Sequence, residues 1–177
     1  MPANRFGGGA RTNINGLRFE QETSLRGALI NAGYFVTERN VVRDQHGNCL
    51  ALIAPKYDFY GKFLRQEGIR WQDYISKQLL PDEALLNFSN NTVYIIEKKF
   101  QNTSGSVDEK LQTCDFKKKQ YQKLLRDTDY NVEYLYVCND WFDQYCYRDV
   151  HDYICSIGCH IFFNEIPLAF LELPPVN

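Results

Sequence analysis

Residues 81–99 read Pro81-Asp82-Glu83-Ala84-Leu85-Leu86-Asn87-Phe88-Ser89-Asn90-Asn91-Thr92-Val93-Tyr94-Ile95-Ile96-Glu97-Lys98-Lys99. Residues 84–88 and 92–96 are strand-like runs, and Ser89-Asn90-Asn91 between them supplies turn chemistry, so the stretch predicts a β-hairpin. The midpoint of positions 82 and 97 falls inside that turn, which sets Asp82 and Glu97 opposite each other. Strand residues two apart share a face, so Glu97 and Lys99 project together. The Lys98 side chain points the other way, but its backbone carbonyl lies at the rim of the same site. Two carboxylates and one ammonium are thus expected at one strand end.

Working outward, Ser106 and Glu109 are spaced as a capping box for the next helix. Val107, Leu111, Cys114, Tyr121 and Leu125 give that helix its apolar stripe. Lys110, Lys117, Lys118, Lys119, Lys123 and Arg126 occupy its polar faces. A strand over 132–138, a helix over about 141–156 and a short strand over 160–163 complete the chain. On the other side, Leu25, Ala28, Leu29 and Ala32 predict a first helix over about 17–32, capped by Asn15 or Asn13 and stopped at Gly33. Residues 34–37 and 41–42 read as short strands. Residues 50–80 read as irregular and aromatic, with Lys56, Lys62, Arg65, Arg70 and Lys77 interleaved among the rings. Strands alternating with helices give an α/β class with a mixed central β-sheet. Residues 1–16, rich in Gly, Asn and Arg, read as an N-terminal arm, and 17–177 as one domain.

Of the 177 residues, 44% are hydrophobic and 24% charged, enough apolar material for a core and too much for a wholly disordered chain. No run approaches the length of a membrane span, and the first residues lack the apolar stretch of a secretory signal, so a cytoplasmic location is expected. The net charge of −2 conceals a split: residues 1–126 hold 19 Lys+Arg against 13 Asp+Glu, and residues 127–177 hold one against nine. A basic working face with an acidic remainder is one reading, and two independently solvated surfaces the other. The six cysteines show no disulfide framework. Cys146, His151, Cys155, Cys159 and His160 match none of the paired spacings typical of zinc, and buried free thiols are the commoner state.

The trio Asp82, Glu97 and Lys99 suits metal-assisted phosphodiester hydrolysis. Carboxylate oxygens completed by the Lys98 carbonyl and water are the hard ligands Mg²⁺ prefers, with Mn²⁺ as a substitute. Such a metal activates a bound water and neutralises charge on a scissile phosphate. Lys99 then orients or deprotonates the attacking water, or stabilises the pentavalent phosphorus.

Pro-Asp, a hydrophobic hairpin, Glu-x-Lys directly after Val93-Tyr94-Ile95-Ile96, and a basic helix behind it together resemble the PD-(D/E)XK nuclease superfamily. Asp82, Glu97 and Lys99 stand on its three motif positions. The run from Gly105 to Gln112 looks like the segment just beyond the motif in some type II restriction endonucleases. The resemblance covers about residues 17–126. It implies a restriction-endonuclease-like core, a mixed sheet flanked by helices with the site at one sheet edge. It also implies Mg²⁺-dependent cleavage of double-stranded DNA at a short specific sequence. Members often add an acid from the first helix, a role that falls to Glu20, with Glu22 as second choice. Asp58, in Pro55-Lys56-Tyr57-Asp58, rivals Asp82, but its distance from Glu97 fits no simple hairpin.

Lys110 and Gln112 are placed to contact a phosphate. The backbone at Gly105-Ser106 offers free N–H groups for the same purpose, or simply a helix cap. Lys117, Lys118 and Lys119 are expected to bind DNA backbone rather than read bases, unless they only solvate a face. Cleavage of a palindromic site implies a homodimer. Two alternatives stand beside this reading. One is a structure-selective, junction-resolvase-like nuclease of the same superfamily. The other is a non-catalytic DNA-binding protein on the same fold, against which the three intact motif positions weigh.

Overall fold

A computed structural model describes residues 16–103 and 107–176. The N-terminal arm up to residue 15, the Asn13 and Asn15 caps, and the Gly105-Ser106 cradle with its capping box lie outside the described residues.

The elements run β1 (Gly16–Arg18), α1 (Leu25–Asn31), β2 (Phe35–Val36), β3 (Val41–Arg43), β4 (Cys49–Ile53), β5 (Glu83–Asn87), β6 (Thr92–Lys99), α2 (Val107–Lys110), α3 (Cys114–Leu125), β7 (Asn131–Cys138), α4 (Arg148–Ser156), β8 (His160–Phe163) and β9 (Glu165–Pro167). A seven-stranded sheet has the order β2-β3-β4-β5-β6-β7-β8, and β1 pairs separately with β9. Strands β2 to β6 form an antiparallel meander, while β6, β7 and β8 run parallel. Parallel neighbours need crossovers, which α3 and α4 supply. The class is α/β with a mixed central sheet flanked by helices.

Period-two alternation divides the core between the two faces of the sheet. One face carries Ala84, Leu86, Val93, Ile95, Tyr134, Tyr136 and Cys138 against Tyr121, Leu124 and Leu125 of α3 and Ile154 of α4. The other carries Leu85, Tyr94, Ile96, Leu135 and Val137 against Leu25, Ala28 and Leu29 of α1, Leu17 of β1 and Ile166 of β9. Because β6 and β7 are covered on both faces, they read as nearly continuous apolar runs. Each such buried leucine or isoleucine stabilises the fold by about 1.5–3 kcal/mol.

The hairpin forms with the expected register. Glu83 pairs with Ile96, and Asn87 pairs with Thr92 across the turn 88–91. Asn91 takes a φ of 49°, a left-handed conformation that asparagine tolerates in turns. Asn90 accepts the Thr92 amide at 3.0 Å and Asn87 accepts that of Ser89 at 2.8 Å, so side chains close the loop.

Three local expectations are corrected. The helix expected over 17–32 is shorter: residues 16–18 are strand, and α1 begins at Leu25 with Ser24 as its cap, accepting the Gly27 amide at 3.0 Å. Leu17 pairs with Ile166, a distant partner that no local periodicity reveals. The region 50–80 contains order that its composition hides, namely β4, a π-helical turn over Phe59–Leu64 and a 3₁₀ turn over Trp71–Asp73. The last helix starts at Arg148, and two 3₁₀ turns over Asp140–Asp143 and Tyr145–Tyr147 precede it. Among the described residues, no helix is long and apolar enough to cross a membrane.

Candidate active site

Strand β6 carries its last three residues to the end of the sheet where β7 and β8 also finish, Lys99 beside Cys138 and Cys138 beside Phe163. Carboxyl ends of parallel strands open into crevices that loops can line. This end lies on the fifth of seven strands, between β5 and β7. Beyond the Glu83–Ile96 pair the hairpin ladder changes character. Oδ2 of Asp82 takes the place of a backbone carbonyl and accepts the Lys98 amide at 2.9 Å. The Asp82 side chain is thereby fixed beside Glu97.

The Lys99 ammonium lies at the centre of the group. Its Nζ is 3.2 Å from Oε2 of Glu97, 3.1 Å from the Lys98 carbonyl and 3.7 Å from Oδ2 of Asp82. It also stands 5.8 Å from the centre of the Tyr136 ring, within cation–π range. A second ammonium, that of Lys117 on α3, reaches the same Oε2 at 3.1 Å. The Lys98 side chain leaves by the opposite face and donates to the Thr23 carbonyl at 2.9 Å.

Burial grades across the cluster. The Glu97 side chain is 7% exposed, Lys99 14%, Lys117 26% and Asp82 38%, so access is from the Asp82 and Lys117 side. A buried carboxylate is tolerated when paired, and Glu97 has two cations. The wall behind it is aromatic: Tyr121, Tyr134 and Tyr136 are fully buried. Burial, reinforced by the Glu97 charge, pushes the hydroxyls of Tyr121 and Tyr134 far up, so both stay neutral. The low dielectric of such a wall strengthens the interactions of charges at its mouth.

The donor set fits a hard divalent cation. Two carboxylates and a backbone carbonyl converge on one cationic atom, Lys99 Nζ, so the structure already holds a positive charge on oxygens that could hold a metal. Among the described residues, no three His, Cys, Asp or Glu side chains gather as a metal-binding group. Here the third donor is a carbonyl.

Of the other expected residues, Glu20 is exposed and precedes α1 in a turn closed by Thr23, whose Oγ1 accepts the Glu20 amide at 3.1 Å, so it is not a first-helix acid. Glu22 is exposed in the same turn. Asp58 is paired with Lys62 at 2.7 Å and lies at the start of the π-helical turn, not on the hairpin. Lys110 and Gln112 are exposed, and the Lys110 carbonyl accepts the Tyr136 hydroxyl at 3.1 Å. Lys119 is largely exposed and paired with Asp115 on its own helix. The Lys118 ammonium is tied to the Gly158 carbonyl at 2.6 Å and to Glu133 at 3.4 Å. Cys146 and Cys155 are exposed, Cys159 is buried beside Cys114, His151 packs on Phe163, and His160 is 3.1 Å from Glu133.

Two residues carry more than their sequence context suggests. Lys117 contacts Glu97 itself rather than forming part of a diffuse basic face. A signal for this is present in the sequence: it lies three residues after Cys114 and four before Tyr121, on the buried stripe of α3. Glu83 is a buried carboxyl on the opposite face from Glu97. It accepts the first amide of α1, that of Leu25, at 2.9 Å. Burial raises its pKa above the ordinary carboxylate value, against the pull of that amide and of Lys98.

No family model, curated protein or solved structure matches the chain.

Proposed function

We propose that this chain is a Mg²⁺-dependent endonuclease of double-stranded DNA, built on the restriction-endonuclease-like fold of PD-(D/E)XK nucleases and cutting at a short specific sequence. The observation that carries this reading is the convergence of Asp82, Glu97 and the Lys98 carbonyl on one cationic position at the end of β6. Asp82, Glu97 and that carbonyl would hold the metal, Mg²⁺ or Mn²⁺, which would supply activation of water and charge neutralisation at the phosphate.

The chain's own residues do the rest. Asp82 is oriented by the Lys98 amide, which engages one carboxylate oxygen and leaves the other for a ligand. Lys99, whose ammonium holds that position in the free protein, would give way to the metal and stabilise the charge that builds on a phosphate oxygen beside it. Its ammonium lies over the Tyr136 ring, 5.8 Å from the ring centre, a favourable cation–π placement. The buried tyrosine wall excludes water behind Glu97, and Lys110, Gln112 and Lys119, which are exposed, would contact DNA backbone. Two copies related by a two-fold axis suit a palindromic site.

Purified protein incubated with sequenced plasmid or phage DNA, with and without Mg²⁺, tests the reading. Discrete bands that require Mg²⁺ are expected. Failure to cut several unmodified, high-complexity DNAs would overturn it, and a smear would replace sequence specificity with a nonspecific or structure-selective activity.

A further inference from the structure

We infer that Lys117 is a latch on Glu97 that couples metal binding to DNA binding: its ammonium occupies a carboxylate oxygen the metal needs until a DNA phosphate draws it away. The inference rests on the proposed reading of the site. Its starting point is that two ammonium groups share one oxygen of Glu97. They are not held alike. Lys99 is also bound to the Lys98 carbonyl and lies near Asp82, and its side chain is 14% exposed. Lys117 has Glu97 as its one ion-pair partner among the described residues, and its side chain is 26% exposed. It comes from α3 rather than from β6, so it can swing outward without disturbing the hairpin.

Glu97 is nearly buried, and a buried carboxylate left without a partner is strongly destabilising. A cation must therefore sit on Oε2 at all times, whether ammonium or metal. In the free protein Lys117 shares that oxygen with Lys99, and an incoming metal has to displace both, Lys117 being the one free to leave with a phosphate. A phosphodiester at the mouth of the site offers Lys117 another anion, and Glu97 is then released to the metal. Binding couplings of this kind are reciprocal, so the metal strengthens DNA binding by the same factor. The latch gives Lys117 a positioning role, distinct from the general backbone contacts of Lys110 and Lys119.

Mn²⁺ binding, read by electron paramagnetic resonance of the free ion, tests the latch without any turnover. It is measured on the protein alone and with a short mixed-sequence phosphorothioate duplex, after subtracting Mn²⁺ held by the duplex itself. Lys117→Met is expected to bind Mn²⁺ at least about 5-fold more tightly than the unmodified protein without DNA. The duplex is expected to raise the affinity of the unmodified protein but hardly that of the variant. Lys117→Arg, which keeps the charge, should retain weak binding in the free state. Lys117→Gln serves if the methionine variant does not fold. Glu97→Gln separates the two levels of inference. If it abolishes Mn²⁺ binding while the Lys117 variants behave as the unmodified protein, the latch is wrong and the metal site stands. If Glu97→Gln leaves Mn²⁺ binding unchanged, the site reading fails and the latch with it.

Discussion

The backbone amide of Lys98 donates to the carboxylate of Asp82 across 2.9 Å, one step beyond the last backbone pair of the hairpin. A side chain has taken over the ladder at the point where the ladder ends. The register that packs Leu85 against Tyr94 therefore also sets the distance between Asp82 and Glu97. A one-residue slip would send Glu97 to the other face with every apolar neighbour, so core packing and site geometry are fixed by one choice.

Asp82→Asn, Glu97→Gln and Lys99→Met should each reduce Mg²⁺-dependent cleavage by at least about 100-fold, the usual cost of removing one electrostatic contributor to a reaction. Far-ultraviolet circular dichroism should show the fold retained. Cleavage at the unmodified rate by any one variant would remove that residue from the site.

Lys118 and Lys119 are adjacent in sequence and should separate in experiment. Lys119→Ala should weaken DNA binding and flatten its dependence on salt, because each phosphate contact contributes to that slope. Lys118→Ala should leave the slope unchanged. It removes the tie from α3 to Glu133 and Gly158, at a cost of about 1 kcal/mol, seen as a fall in Tm of about 2–4 °C.

Glu83 gives the fold a pH dependence whose sign is set by its raised pKa. Between the ordinary carboxylate value of 4.5 and the higher folded value, the native state binds more protons than the unfolded chain. Stability is therefore lost as pH rises through the folded pKa. Glu83→Gln keeps an acceptor for the Leu25 amide and removes the titration. Urea denaturation across pH 4–8 should show the variant gaining on the unmodified protein as pH increases.

Asn87 is buried, and its amide donates to the carbonyls of Leu171 at 2.8 Å and Glu172 at 3.2 Å. Asn87→Ala would leave those groups without their donor and should cost about 1–3 kcal/mol, measured by chemical denaturation.

The hairpin, the β7 and β8 strands and the juxtaposition of Asp82, Glu97 and Lys99 are legible in the sequence because each rests on contacts between near neighbours or on period-two alternation. The β1–β9 pair is not, since Leu17 and Ile166 lie at opposite ends of the chain. Glu20 falls outside its expected helix for the same reason: with the strand partner of 16–18 invisible, the apolar pattern extends the first helix too far. Lys117 reads as part of a charged run because its neighbours Lys118 and Lys119 share its charge. Only their directions around α3 distinguish them, one toward Glu97, one toward Glu133 and one toward solvent.

The change from antiparallel to parallel pairing at β6 has a kinetic consequence. Four residues separate Asn87 from Thr92 on the antiparallel side, whereas the parallel pairing of Thr92 with Asn131 must close a loop that includes the whole of α3. Loop-closure entropy favours the short connection, so the hairpin is the natural early nucleus and the crossover docks later. Asp82 and Glu97 are then brought together with only Lys99 beside them, and the second cation arrives when α3 settles onto the sheet. A step of assembly later than the hairpin is thus the one that completes the neutralisation of the site.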